Sequence, residues 1–469
     1  MPQDNTQHTA KHIEFTKAIP VVDHVDVLVV GGGPSGIGAA LGAARAGAAT
    51  ALVEHYGFLG GAATAGLVGP FMTSFNGDGT TQLIGGVFDE LVRRMEDLGG
   101  AVHPRYIRSG SAEAGYYVFG HDHVTPFHPE TLKVVADEMM VESGVTLYLH
   151  TNFVEPLMEG RWLKGAIVHN KSGLQAITAQ VIVDCTGDAD VAYLAGAPTL
   201  KGREQDNLTQ PMTMFFRVGG VDDAVVDEYA AQHPEERGRL FHQYVVAAKE
   251  RGDFPIMRDK AGIYRTLEKG VWRVNTSRLQ RLDGTSARDL VTAELAGRQQ
   301  VHILMDFFHN YLPGFERAVL IDTAVQIGVR ETRRIAGEVT LTADDLASGR
   351  HFDDTIALES FPVDLHPAVG DGGGTDTGLA IGCKTAAVYE IPYRCLIPRN
   401  VEQLLVAGRA VSGTREAIAA IRIMPPCFAM GQAAGIASAI AVRDETSVRD
   451  IDVNKLQRIL EKQKAILSI

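Results

Sequence analysis

The sequence predicts an α/β fold, and three observations predict it. The stretch from Asp26 to Leu67, DVLVVGGGPSGIGAALGAARAGAATALVEHYGFLGGAATAGL, reads as apolar strand, glycine turn, small-residue helix and second strand. Short alternating segments between Trp162 and Val183 read as a β-meander. From Glu390 the chain returns to a strand, a Gly408-Arg409 turn and a long small-residue helix, after a region richer in charges and aromatics. Together these describe a Rossmann-like nucleotide domain, parallel sheet plus β-meander, with an α+β substrate or cap domain inserted into it. The expected boundaries are a flexible leader over 1–22, the nucleotide domain over 23–198, the cap over 199–389, and the nucleotide domain again over 390–469.

Each element has a local reason. Gly31 permits the tight turn after the first strand, Gly33 lets the backbone approach a pyrophosphate, and Gly36 lets the helix pack on the strand. Pro34 and Ser35 open that helix, whose free N–H groups suit a phosphate. Glu54 closes the second strand, roughly 20 residues on, where a carboxylate meets a ribose. The alternative is a glycine turn in an ordinary βαβ unit with nothing bound. A Gly- and Thr-rich stretch, Gly57 to Gly86, precedes an amphipathic helix around Phe88 to Met95. A helix after Pro129 leads to a strand at Val145 to Leu149. Asn152 to Glu155 follows, and then the meander as Trp162 to His169, a turn at Lys171-Ser172-Gly173, and Leu174 to Val183. A strand near Gln403 to Ala407 and a helix from about Pro426 to Val442 complete the domain.

Composition narrows the function. The 469 residues carry 57 acidic and 44 basic side chains, a net charge of −13, which argues against a general nucleic-acid or anionic-membrane binder. No run of 18 apolar residues predicts a span, and the polar N-terminus lacks a signal-peptide core. Cys185, Cys383, Cys395 and Cys427 are widely spaced, which removes a dithiol redox pair, an iron–sulfur cluster and a zinc knuckle, and a cytoplasmic setting is expected. His121, His123 and His128 lack a matching acid or thiol cluster, so no metal is expected.

Several further stretches carry a resemblance. They are Gly57-Phe58-Leu59-Gly60-Gly61 with Thr64, and Asp184-Cys185-Thr186-Gly187-Asp188 with Asp190. Then come Gly328 to Arg334, Pro362 to His366, Ile391 to Pro398, Leu405 to Arg409, and Arg422-Ile423-Met424-Pro425-Pro426-Cys427 with Gly431 to Gly435. Spread in order over nearly the whole chain, they resemble the FAD-dependent oxidoreductase family with a glutathione-reductase-like FAD-binding fold. The resemblance implies bound FAD and an oxidoreductase. It places Gly60, Gly61, Thr64, Thr186, Gly187, Asp188, Gly408 and Arg409 near the cofactor, with Val154 touching the adenine through its backbone. Arg409 stands where an acid is common in glutathione-reductase-like flavoproteins, and is expected to pair with the pyrophosphate. The resemblance also sets the Met424–Cys427 helix start against the pyrimidine edge of the flavin, where its dipole would stabilise negative charge on the reduced ring.

One fingerprint, with no second for a nicotinamide dinucleotide, favours FAD over NAD; Gly370-Asp371-Gly372-Gly373-Gly374 follows no strand and reads as a loop. The expected reaction passes a hydride from a small polar organic substrate to flavin N5, with a dehydrogenase or oxidase ahead of a flavin monooxygenase or a non-catalytic FAD-binding protein. The electron acceptor stays open among oxygen, a quinone and a carrier protein, as does a homo-oligomer. His366 is the candidate base or else a structural histidine. Tyr393 and Arg394 precede the last nucleotide-domain strand, where Arg394 could orient a carboxylate or pair at the surface. Arg422 could do similar work. Arg330, Arg333 and Arg334, at helical spacing with Glu331, read as a structural ion-pair network. Cys427 is a helix-start thiolate, a flavin attachment point, or a small packed residue.

Overall fold

The computed structural model describes residues 13–117, 120–370 and 387–469. Cys383 and all of the Gly370 to Gly374 loop after its first residue lie outside them. β1 (Val21–Val30) enters the glycine turn, α1 (Pro34–Arg45) leaves it, and β2 (Thr50–Val53) follows. α2 (Gly86–Asp97) and α3 (Pro129–Glu142) cover the sheet before β3 (Thr146–Tyr148). The meander is β4 (Asn152–Glu159), β5 (Trp162–Asn170) and β6 (Gly173–Asp184), which leads into the short α4 (Asp190–Leu194).

The sheet has seven strands. β3, β2, β1 and β6 lie parallel in that order, and β5 and β4 continue from β6 antiparallel. β6 is long enough to serve both halves: its first residues pair with β5, and Ile182 to Asp184 pair with a C-terminal strand. β1 alternates nothing from Val27 to Val30; all four are buried, as a strand covered on both faces requires.

The second body begins after β7 (Thr199–Lys201). It consists of β8 (Phe216–Gly219), α5 (Asp223–Gln232), α6 (His242–Arg251), β9 (Ile263–Arg265), β10 (Trp272–Val274), the 25-residue α7 (Ala287–Tyr311) and β11 (Val319–Thr323). Its four strands run antiparallel in the order β11, β8, β10, β9, over a separate core that includes Trp272, Phe216, Phe308 and Phe315.

The cap ends earlier than the expected 389. β12 (Arg333–Ile335) pairs back with β7, and α8 (Ala343–Ser348), β13 (Thr355–Glu359) and β14 (Tyr389–Pro392) contribute Leu346, Ile356 and Ile391 to the first core. The chain rejoins the nucleotide domain near Arg333 because its apolar residues from there on have that core to bury against. β15 (Leu404–Val406), α9 (Arg415–Ile421), α10 (Met424–Arg443) and α11 (Val453–Lys462) finish the fold, β15 lying parallel to β6. Among the described residues α10 alone is long and apolar enough to cross a membrane, and its apolar window is 89% buried. It packs on α1 backbone to backbone: a side chain on Gly431 or Gly435 would run into the carbonyls of Ser35 or Ala39. That contact is what the stripe of small residues is for.

Candidate functional site

A cavity of about 650 Å³ opens between the two bodies. One part of its wall is the glycine turn. Gly31 has φ +102°, and a Cβ there would meet the Cys185 carbonyl at 2.5 Å, so only glycine fits. Gly33 differs: a Cβ would find nothing nearer than the Gly61 Cα at 3.8 Å, because that face looks into the cavity. Gly33 is also the N-cap of α1 and supplies no side-chain cap, leaving the first-turn N–H groups free for a ligand. Pro34, Ser35, Gly61, Thr186, Gly187, Asp188, Gly408 and Arg409 line the same wall. Gly36 lies behind it, pressed against the Gly31 carbonyl, as close helix–strand packing requires.

Glu54 is 4% exposed and lines the cavity at the end of β2. Its Oε2 accepts from the Gly32 N–H at 2.7 Å and its Oε1 from the Tyr56 N–H at 2.9 Å, which fixes the carboxylate. Asn152 and Phe153 line the wall beyond it; the side chain of Val154, whose backbone is the expected neighbour of the adenine, is turned outward on β4 and does not line it. Gly60 and Thr64 also sit behind the lining. Gly60 holds φ +110° and the Thr64 hydroxyl donates to the Leu59 carbonyl at 2.8 Å, so the pair shapes the loop that presents Gly61.

The start of α10 forms another part of the wall, with Ile423, Met424 and Cys427 exposed to the cavity. Burial pushes the Cys427 thiol up to about 12, so it is a neutral thiol packed against Gly408 and not a thiolate. Arg409 does not offer a free guanidinium to a pyrophosphate. Its Nε donates to the Gly187 carbonyl and its Nη1 to that of Val329, each at 2.7 Å, and its Nη2 pairs with Asp188.

The third part of the wall is cationic. Arg258, Lys260, Arg278, Arg330 and Arg422 all line it, beside Tyr117, His121, Tyr264, Asp364 and His366. Arg330 is not on a helix. It donates to the Pro211 carbonyl at 2.7 Å, to Thr213 Oγ1 at 2.6 Å and to Asn275 Oδ1 at 3.2 Å. Burial and the charges of Arg422, Arg278 and Arg258 pull its guanidinium well below its ordinary value. Arg333 instead pairs with Asp190 at 2.8 Å, and Glu331 with Arg415 at 2.7 Å, so the expected network is dispersed.

Asp364 is the carboxylate ion-paired to this group among the described residues: Arg422 Nη2 lies 3.2 Å away and His366 Nε2 3.3 Å. Burial works against its charge, but contact with His366, Arg422 and Arg330 holds the carboxyl well below the usual range. His366 reaches the cavity as expected, yet burial, reinforced by Arg330 and Arg278 against Asp364, takes its imidazole down to about 3. It is neutral, with a nitrogen on either side engaged. Around Tyr117 the balance reverses. Burial would raise the phenol, and the charges of Lys260 and Arg258 outweigh it and bring it below its ordinary value. His121 stacks on Tyr117 at 4.4 Å between ring centroids.

Two expected residues are not at the site. Tyr393 is buried, its hydroxyl donating to the Val448 carbonyl at 2.7 Å, and Arg394 forks onto both Asp354 oxygens at 2.9 Å. β14 points them into the domain core and to the surface. Conversely, Arg258, Lys260, Arg278 and Tyr117 carry no motif or spacing, and composition gave no hint of them.

These features fit FAD: a glycine-walled helix N-terminus for a pyrophosphate, a fixed buried carboxylate for a ribose, and a second uncapped helix start facing the same space. Fold and site define a flavin-binding α/β enzyme. The family description "FAD dependent oxidoreductase" matches residues 26–460, and the chain belongs to that family. FAD is its cofactor. A comparison with curated proteins found no match. Solved structures match over most of the chain at low identity. A geranylgeranyl bacteriochlorophyll reductase-like protein from Thermoplasma acidophilum is 13% identical over 95% of this chain and 84% of its own, with a TM-score of 0.43. The p-nitrophenol 4-monooxygenase of Pseudomonas putida is 11% identical over 94% and 84%, TM-score 0.43. A triple mutant of a flavin-dependent brominase is 14% identical over 94% and 84%, TM-score 0.46.

Proposed function

We propose that this enzyme oxidises a small polar organic substrate by removing a hydride from carbon. The observation that carries the reading is one continuous cavity in which the glycine turn, the start of α10 and a charged pocket share a wall. FAD, when bound, supplies the two-electron acceptor at its N5 for such a hydride. The residues of the chain do the rest. The α1 N-terminus would hold the pyrophosphate and Glu54 the adenosine ribose, and the α10 N-terminus would offer its dipole to negative charge. Arg422 and Arg330 orient the substrate. His366 cannot take the substrate proton, because Arg278 occupies Nδ1 at 3.0 Å and Asp364 faces Nε2. Tyr117, whose phenol is brought down by Lys260 and Arg258, is better suited to hold that proton.

The test is anaerobic mixing of FAD-loaded protein with a panel of hydroxy acids, amino acids, alcohols and amines. Bleaching of the yellow colour by a panel member, restored by air, supports the reading. Bleaching by NADPH alone, with oxygen entering the product, would install a monooxygenase instead. Bleaching by dithionite alone would leave a binding protein.

A further inference from the structure

Among the described residues, Arg258, Lys260, Arg330 and Arg422 carry more positive charge than the carboxylate beside them, Asp364, neutralises. Arg258 is 5% exposed, and its Nε and Nη1 find no hydrogen-bond partner among the described residues; the same holds for Arg422 Nε. A buried guanidinium with unmet donors is costly unless something else meets them. Arg330 spends its donors on neutral oxygens. Lys260 lies 4.6 Å above the Tyr117 ring, and its neighbour Asp259 is taken by Arg239. Asp364 thus faces several cations and leaves a surplus. In a chain of net charge −13 that surplus stands out, since the protein as a whole repels anions and this pocket attracts them.

We infer that the substrate is a dianion, bearing two oxyanionic groups, carboxylate or phosphate, clamped between Arg258, Lys260 and Arg330 on the cap side and Arg422 on the nucleotide-domain side. This rests on the proposed function, and names the substrate class of the same cavity. The planar fork of arginine matches such groups through paired N–H donors, and two forks on different bodies fix both ends of a short molecule. A neutral polar substrate would leave the guanidiniums unpaired and forfeit most of the attraction.

The experiment titrates FAD-loaded, full-length protein with matched pairs: succinate and succinamide, glutarate and glutaramide, phosphoglycolate and glycolamide. The readouts are perturbation of the flavin absorbance and the shift in melting temperature. At least one dianion should bind saturably, and about thirtyfold or more tighter than its neutral partner. Which pair responds separates a carboxylate from a phosphate. Arg258→Gln should weaken that dianion by about the same factor at unchanged FAD content, and Arg258→Lys should restore part of it. Neutral partners binding as well as the dianions, or a panel in which no dianion binds, overturns the inference whatever the variants do. Dianion binding with no metabolite able to bleach the flavin upholds the anion pocket and removes the proposed oxidation. Bleaching by neutral molecules alone does the opposite.

Discussion

Arg278 Nη2 lies 3.0 Å from His366 Nδ1. A guanidinium only donates, so Nδ1 must present its lone pair and the imidazole proton must sit on Nε2, facing Asp364 Oδ2 at 3.3 Å. The ring is held between a cation and an anion in one tautomer, and its lone pair is already used. His366 therefore fixes Asp364, which in turn holds Arg422.

That arrangement gives a pH dependence with a definite sign. An unfolded histidine titrates near 6.5, and native His366 near 3. Between those values the unfolded chain holds a proton that the folded chain does not, so acidification destabilises the fold. The depressed Asp364 loses its stabilising charge only below the ordinary carboxylate range, outside this window. From pH 6.5 down to 4, His366 contributes a slope of up to about 1 kcal/mol per pH unit, which His366→Gln should remove. Urea unfolding across that range measures it; parallel slopes for the two proteins would refute the tautomer assignment.

Glu359 should act in the other direction. It is fully buried, its Oε1 accepts from the Ser360 and Phe361 N–H groups at 2.8 and 3.0 Å, and its Oε2 has no partner among the described residues. Burial outweighs those two donors and raises the carboxyl to about 8. Its folded value lies above its unfolded one, so its contribution is complete below about pH 4.5 and is lost as pH rises through 8. Glu359→Gln keeps the accepting oxygen and cannot ionise. It should match the wild type at pH 4 and exceed it by roughly 4 kcal/mol near pH 9. Equal melting temperatures at pH 9 would mean that burial does not raise the Glu359 carboxyl above its unfolded value.

The nucleotide half was legible in the sequence because its signal is local. Gly31, Gly33, Gly36 and Glu54 lie within one βαβ unit, so their spacing shows in the sequence although Gly31 is held by the distant Cys185 carbonyl and Gly33 by the cavity. The cationic pocket was not legible. Arg258, Arg278 and Arg330 come from separate cap loops that only the fold of the cap brings together, and only the docking of cap on nucleotide domain adds Arg422. Tyr393 and Arg394 misled for the converse reason: they are close in sequence to β15 but lie on the short helical turn after β14, which faces away from the cavity. The small residues of α10 announced a close approach, but nothing in the sequence named α1 as the partner.

Tyr393 and Arg394 should therefore be silent in catalysis. Arg394 is half exposed and its Asp354 pair is worth no more than about 1 kcal/mol; Tyr393→Phe removes a single hydrogen bond of about that size. Both variants should lose a few degrees of melting temperature and keep FAD content and dianion affinity. A large change in either would return them to the site.

Gly33 and Gly435 separate the cofactor's requirement from the fold's. Both have negative φ or helical backbone, so alanine is conformationally acceptable at each, and in mid-helix Gly435→Ala would gain about 1 kcal/mol of helix propensity. At Gly435 the new methyl drives into the Ala39 carbonyl of α1, and because both atoms belong to packed helices the clash should exceed that gain. At Gly33 the methyl meets no protein atom within 3.4 Å and projects into the cavity instead. Gly33→Ala should then unfold in urea as the wild type does when both are stripped of FAD, yet bind FAD about tenfold or more weakly, since the backbone can no longer approach the pyrophosphate. Gly435→Ala should lose stability in the stripped form as well. If Gly33→Ala retained full FAD affinity, the phosphates would have to lie elsewhere than at the start of α1.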